Sequence, residues 1–194
     1  MKTAHLLTRI TASVAFSAVL LPFGLSAASI PAQSMDWRQT VKERIELYGH
    51  RNWIVIADSA YPAQARDGIE TILANAGQAE VLKAVLADLA ASRHVTPIVY
   101  IDRELRFVEE KEAPGVTDYR KELASILADR KLNSLPHEQI ISKLDQAGQT
   151  FRVLIIKTNM TVPYTSVFLQ LDCAYWGADA EARLRTRMAA APNR

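Results

Sequence analysis

The apolar positions along the chain change period several times, and those changes divide it into elements. Val41, Ile45 and Tyr48 recur at helical spacing behind Asp36, a residue suited to an N-cap. The pattern predicts a helix from 37 to about Tyr48, with Gly49 as its stop. The next apolar run, "WIVIA" at 53–57, is short, continuous and followed by a Pro-containing turn, which predicts a buried strand. "GIETILANAG" fits a strand or a helix equally well. In "QAEVLKAVLADLAAS", Val81, Leu82, Val85, Leu86 and Leu89 form one stripe, the mark of an amphipathic helix. "HVTPIVYID" predicts a second strand, and the charged "RELRFVEEKEAPG" reads as a surface connection. Two further helices are expected in "DYRKELASILADRKL" and "PHEQIISKLDQAG". The strongest strand signal, "FRVLIIKT", follows, and "TSVFLQLDC" is expected to pair with it. Strands alternating with helices of about ten to fifteen residues predict a single-domain, layered α/β fold with a largely parallel central sheet flanked by helices.

Composition narrows the setting. With 194 residues, 49% of them hydrophobic, and a formal net charge of +2, the chain reads as one globular domain. Its small basic excess lies partly at the two ends and forms no basic stripe interleaved with aromatics, which argues against a nucleic-acid partner. Residues 1–28 have the order of an export signal: Lys2 and Arg9, an apolar stretch from Ile10 to Leu25, then small residues, with cleavage expected after Ala27, Ala28 or Ala32. An uncleaved segment would instead anchor the chain in a membrane. The expected organisation is thus a signal at 1–28, a linker at 29–36, the α/β domain at 37–176 and a basic tail at 177–194. The folded part is expected outside the cytoplasm, periplasmic or secreted. Cys173 is the only cysteine, so no intramolecular disulfide is possible.

No GxGxxG, GxxxxGK[ST], GxSxG or HExxH motif occurs, and no zinc-type Cys/His spacing. What remains is a pair of groups able to trade protons, bracketing one strand: His50 before "WIVIA" and Asp58 directly after it. Ligands in such folds gather at the carboxyl ends of strands, where Asp58 stands. Each candidate also has a local structural reading. His50 suits a helix C-terminus, Asp58 an Asx-turn, His137 after Pro136 the first turn of a helix, and Tyr164 after Pro163 a turn aromatic.

Three stretches together resemble the D-ribose pyranase / L-fucose mutarotase (RbsD/FucU-like) family. Gly49-His50, "WIVIA" and "DSAYP" keep the family's Gly-His, hydrophobic strand, Asp-Ala and Pro-turn pattern. "HEQ" at 137–139 matches a triplet of some ribose pyranases, and "FRVLIIKTNMTVPYTSVFLQL" matches the terminal strand, Tyr-bearing loop and strand. The resemblance spans most of 37–173. It departs at Ser166, which stands where the family has Asn, and in a longer stretch between His137 and Tyr164.

The resemblance implies cofactor-free interconversion of monosaccharide ring forms or anomers by general acid–base catalysis. It implies His50 as the proton-transfer residue and Asp58, His137, Tyr164 and Ser166 as sugar-binding residues. Five strand residues hold His50 and Asp58 roughly 17 Å apart. The implied site is therefore composite, at the subunit interfaces of a homo-oligomer. The alternative is an exported sugar-binding module that kept the fold and lost the chemistry, with Ser166 as its sign. A third possibility is an exported structural or interaction protein without a small ligand.

Overall fold

Asp36 starts the first helix: its Oδ1 accepts the Arg38 N–H at 3.0 Å. The computed structural model describes residues 36–191, so the signal segment and the last three residues lie outside the described residues. In chain order the elements are α1 (Trp37–Leu47), β1 (Trp53–Ala57), β2 (Ile69–Leu73), α2 (Gln78–Ala91), β3 (Val95–Asp102), a 3-10 turn (Arg103–Phe107), α3 (Val116–Ile126), β4 (Leu132–Leu135), α4 (His137–Ala147), β5 (Val153–Lys157), β6 (Val167–Cys173) and α5 (Ala178–Ala190).

The six strands form one sheet in the order β2-β5-β1-β6-β3-β4. β1 pairs with β5, β2 with β5 and β3 with β4 in parallel, while β6 runs antiparallel between β1 and β3. The continuous apolar run of β1 follows from burial on both faces. Ile54 and Ile56 join a core with α1, α2 and α3, including Val41, Leu82 and Leu123. Trp53, Val55 and Ala57 point the other way and pack with Ile140 and Leu144 of α4. Each such large side chain contributes about 1.5–3 kcal/mol by leaving water.

Three details differ from the sequence reading. β6 does not pair with β5. All four of Val153–Ile156 are fully buried, and β5 fills the space between β2 and β1, leaving β6 to close the gap between β1 and β3. The helix expected to run through Leu132 stops at Ile126, and residues 132–135 add the short edge strand β4. The tail expected at 177–194 contains α5, a helix that buries none of its residues. Between α1 and β1, Arg51 takes a left-handed conformation, with φ 74°.

Candidate active site at the carboxyl ends of the strands

β1, β3, β4 and β5 all run in one direction, so their carboxyl ends open on the same side of the sheet, where antiparallel β6 begins. A buried amide knits this end together. Gln78, the first residue of α2, donates from Nε2 to the carbonyls of Ile56 at 3.0 Å and Thr165 at 2.8 Å. Its Oε1 accepts from Thr158 Oγ1, and Tyr119 donates its hydroxyl to the Thr165 carbonyl at 2.7 Å. The loop 158–166 is thereby fixed at both ends. At its crest Tyr164 takes a left-handed φ of 59°, unusual for a residue with a bulky side chain, and stays 39% exposed.

Under this loop lies a cleft of about 430 Å³ bordered by Asp58, Tyr61, Pro62, His137, Thr161 and Tyr164. That volume is in the range of small-molecule sites, about 300–1,000 Å³. Asp58 is held firmly at its edge. Its Oδ1 accepts the Ala60 N–H at 2.9 Å, the Asx-turn expected of Asp after a strand, and its Oδ2 accepts from Ser166 Oγ at 3.1 Å. Ser166 also accepts the Asp58 N–H at 3.4 Å and is 2% exposed. Its hydroxyl is thus spent on orienting Asp58 from behind.

His137 opens α4, and two carboxylates fix it. Glu104 accepts the His137 backbone N–H with both oxygens at 3.0 Å, which caps a helix that Pro136 cannot cap with a side chain. Asp102, the last residue of β3, meets the ring at Nδ1, with Oδ1 at 3.1 Å. The imidazole and the Tyr164 ring meet in a T-shaped contact, centroids 5.7 Å apart and planes at 78°. Nε2 has no hydrogen-bond partner among the described residues and is the nitrogen left for a ligand. The Asp102 side chain is wholly buried, and its Oδ2 meets no donor among the described residues. Burial pushes its carboxyl up to about 6; His137 pulls it back, and Glu104 and Asp58 add to the rise. Burial likewise raises the Tyr61 phenol, helped by Asp102, Asp145 and Asp58.

Asp58, His137 and Tyr164 therefore meet at one cleft, with Ser166 behind Asp58. His50 does not join them. It is exposed in the turn before β1, at the opposite end of that strand. The larger hollow of the protein, about 650 Å³, is lined by Arg66, Asp67, Arg152 and neighbouring backbone, and brings no histidine to its wall. Among the described residues no group of three or more His, Cys, Asp or Glu side chains is placed to hold a metal ion. Sequence reasoning missed Asp102, Glu104 and Gln78. Asp102 was findable, since it closes "VYID" at a strand's carboxyl end, but the charged run after it reads as solvated surface. Gln78 carries no signal in sequence, because its partners are carbonyls and a hydroxyl from distant segments.

Residues 38–173 match the RbsD / FucU transport protein family. The chain belongs to that family. Among solved structures it is similar to Bacillus subtilis RbsD complexed with D-ribose, at 22% identity over 69% of this chain and 91% of that one, TM-score 0.46. It is similar also to the fucose mutarotase of Streptococcus pneumoniae in complex with L-fucose, at 17% identity over 67% and 89%, TM-score 0.44. A third is FucU from Bifidobacterium longum, at 17% identity over 69% and 92%, TM-score 0.45. No curated protein matches. The family match ends at Cys173, so α5 lies outside the matched residues.

Proposed function

We propose that the cleft binds a reducing monosaccharide and interconverts its ring forms or anomers without a cofactor. The observation that carries this reading is the convergence, in a family of sugar-handling proteins, of His137, Asp58 and Tyr164 on one small-molecule-sized cleft. Two structures of similar fold are of proteins bound to D-ribose and L-fucose. The chemistry asks little of the protein. The anomeric hydroxyl loses its proton, the O–H electron pair becomes the carbonyl π bond, and the bond from the anomeric carbon to the ring oxygen breaks as that oxygen takes a proton. The carbonyl turns, and the ring closes on its other face or at another hydroxyl.

In this reading His137 Nε2 exchanges a proton with the sugar, and Tyr164 offers its phenol as a donor and its ring as a stacking face. Asp58, anchored by Ser166 and the Ala60 amide, accepts hydrogen bonds from sugar hydroxyls. The second proton-transfer group is His50, and because it sits at the far end of β1 it enters a cleft only from a second copy of the chain. The proposed assembly is accordingly a homo-oligomer.

Saturation-exchange NMR on a panel of reducing monosaccharides, paired with calorimetry, tests the reading. Anomer exchange above the buffer rate for at least one sugar supports an enzyme. Binding of a sugar whose anomers still exchange at the buffer rate assigns the cleft to a sugar-binding module, and no binding at all rejects both.

A further inference from the structure

We infer that Asp102 is the positioning residue of the cleft: it holds His137 in the tautomer protonated at Nδ1 and partners the imidazolium that forms when Nε2 takes a proton from the sugar. The inference rests on the sugar reading of the cleft for its chemical consequence, and on geometry for the rest.

Three observations carry it. The first is that Asp102 Oδ1 lies 3.1 Å from Nδ1, and a carboxylate can only accept there, so Nδ1 must carry the proton and Nε2 presents its lone pair to the cleft. The second is isolation. The Asp102 side chain has no exposure to water, and its Oδ2 meets no donor among the described residues, so the negative charge is spread over few hydrogen bonds and His137 is its one charge-bearing partner in contact. A carboxylate short of donors is a strong acceptor, and its attraction to a cation formed beside it is screened little. The raised carboxyl follows from the same isolation. The third is that the residue is held from two sides. Glu104 pins the His137 backbone N–H with both oxygens, and Tyr164 stands against the ring.

The charged and titratable groups facing this pair are Glu104 from the 3-10 turn, Asp58 from the end of β1, and Tyr61 and Tyr164 from the loops. Behind Asp102 lies a separate cavity of about 240 Å³, walled largely by Leu105, Leu123 and Leu132, with Arg103, Arg106 and Arg120 around it. Arg120 is engaged with the carbonyls of Leu105 and Val108 and makes no contact with Asp102. That cavity leaves room for a longer or an apolar side chain at position 102.

Nε2 gains the anomeric proton while Nδ1 keeps its own against Asp102, and the ring oxygen takes its proton from the second group of the proposed function, His50 of another copy. Both transfers reverse when the ring closes, so protons balance over the cycle and no oxidant or reductant takes part.

The test is ¹⁵N NMR of the His137 ring in the full chain, with sugar exchange measured on the same samples. Wild type is expected as the Nδ1–H tautomer. Asp102→Leu, which fits the adjoining cavity, should release the ring to the Nε2–H tautomer and lower kcat for exchange by about 10²-fold with KM within about twofold. Asp102→Glu should keep the Nδ1–H tautomer and recover at least about tenfold of that loss. A wild-type ring protonated at Nε2 overturns the inference, as does an Asp102→Leu chain with unchanged tautomer and kcat. If Asp102→Leu fails to fold, the wild-type tautomer and Asp102→Glu decide. A wild type that exchanges no sugar rejects the proposed activity, and the positioning role is then judged on the tautomer alone.

Discussion

His137 and Asp102 show how one buried carboxylate changes what a histidine can do. Asp102 is costly in the folded state because it is charged without water, and the sign of that cost gives a prediction. Its folded pKa is raised above the unfolded value of 3.8, so the favourable contribution is complete below about 3.8 and is lost as pH rises through about 6. Relative to Asp102→Asn, wild type should therefore lose stability across that window; urea unfolding at pH 4, 5, 6 and 7 measures it, and a flat difference contradicts it. Glu110 shows the opposite sign. Its carboxylate accepts the Gly115 and Thr117 N–H groups at the start of α3, where Gly115 has no side chain to cap, and these bonds lower its pKa from 4.5 to about 2. Its stabilisation should be present above pH 4.5 and vanish as pH falls towards 2, so the deficit of Glu110→Gln in thermal melts should disappear over that range.

Among the elements, α1, β1, α2, β3, α4 and β5 were legible in the sequence because each has one clear period and a local start or stop. β4 was not, since Leu132–Leu135 is an edge strand of four residues with alternating half-burial and no long apolar run to announce it. The neighbour of β6 was not legible either, because strand order depends on which edges remain open after the other strands pair. The same division applies to the site. Asp58, His137 and Tyr164 stand at a strand end, a helix start and a loop, each with a readable pattern, whereas the donors and acceptors that fix them, Ser166, Glu104, Asp102 and Gln78, are set by pairings between separate segments. Ser166 was expected to face the sugar and instead holds Asp58. Gln78 is the strongest case for a single residue supporting a whole loop: Gln78→Leu removes three buried hydrogen bonds, to the Ile56 and Thr165 carbonyls and from the Thr158 hydroxyl, leaving Thr165 held by Tyr119 and Thr158 by the Ala57 carbonyl alone. The variant should lose about 2–3 kcal/mol in chemical denaturation and bind sugar less tightly, since Tyr164 loses its support. Unaltered stability would show that water replaces the amide.

At the level of the whole molecule, one face of the sheet carries α1, α2 and α3 and the other α4, while the strands' carboxyl ends form the cleft and His50 stays at the opposite end. Under the proposed function this separation requires at least two copies. Light scattering at micromolar concentration is expected to find an oligomer, and mixing inactive His50→Ala with inactive His137→Ala chains is expected to restore exchange in the mixed assembly. A monomer that is fully active rejects the composite site. The expected export is tested by fractionation: mature chains should begin between Ser26 and Gln33 outside the cytoplasm, and an intact Met1 chain in the cytosol contradicts it.

The most direct measurement is the anomer exchange rate of one sugar that the wild-type protein binds, compared with His137→Ala at equal folded concentration. Proton transfer by a positioned imidazole supplies about 10²–10⁴-fold, so the variant should fall towards the buffer rate by that factor while circular dichroism stays unchanged. Wild type and His137→Ala exchanging the sugar at the same rate would contradict catalysis at this cleft.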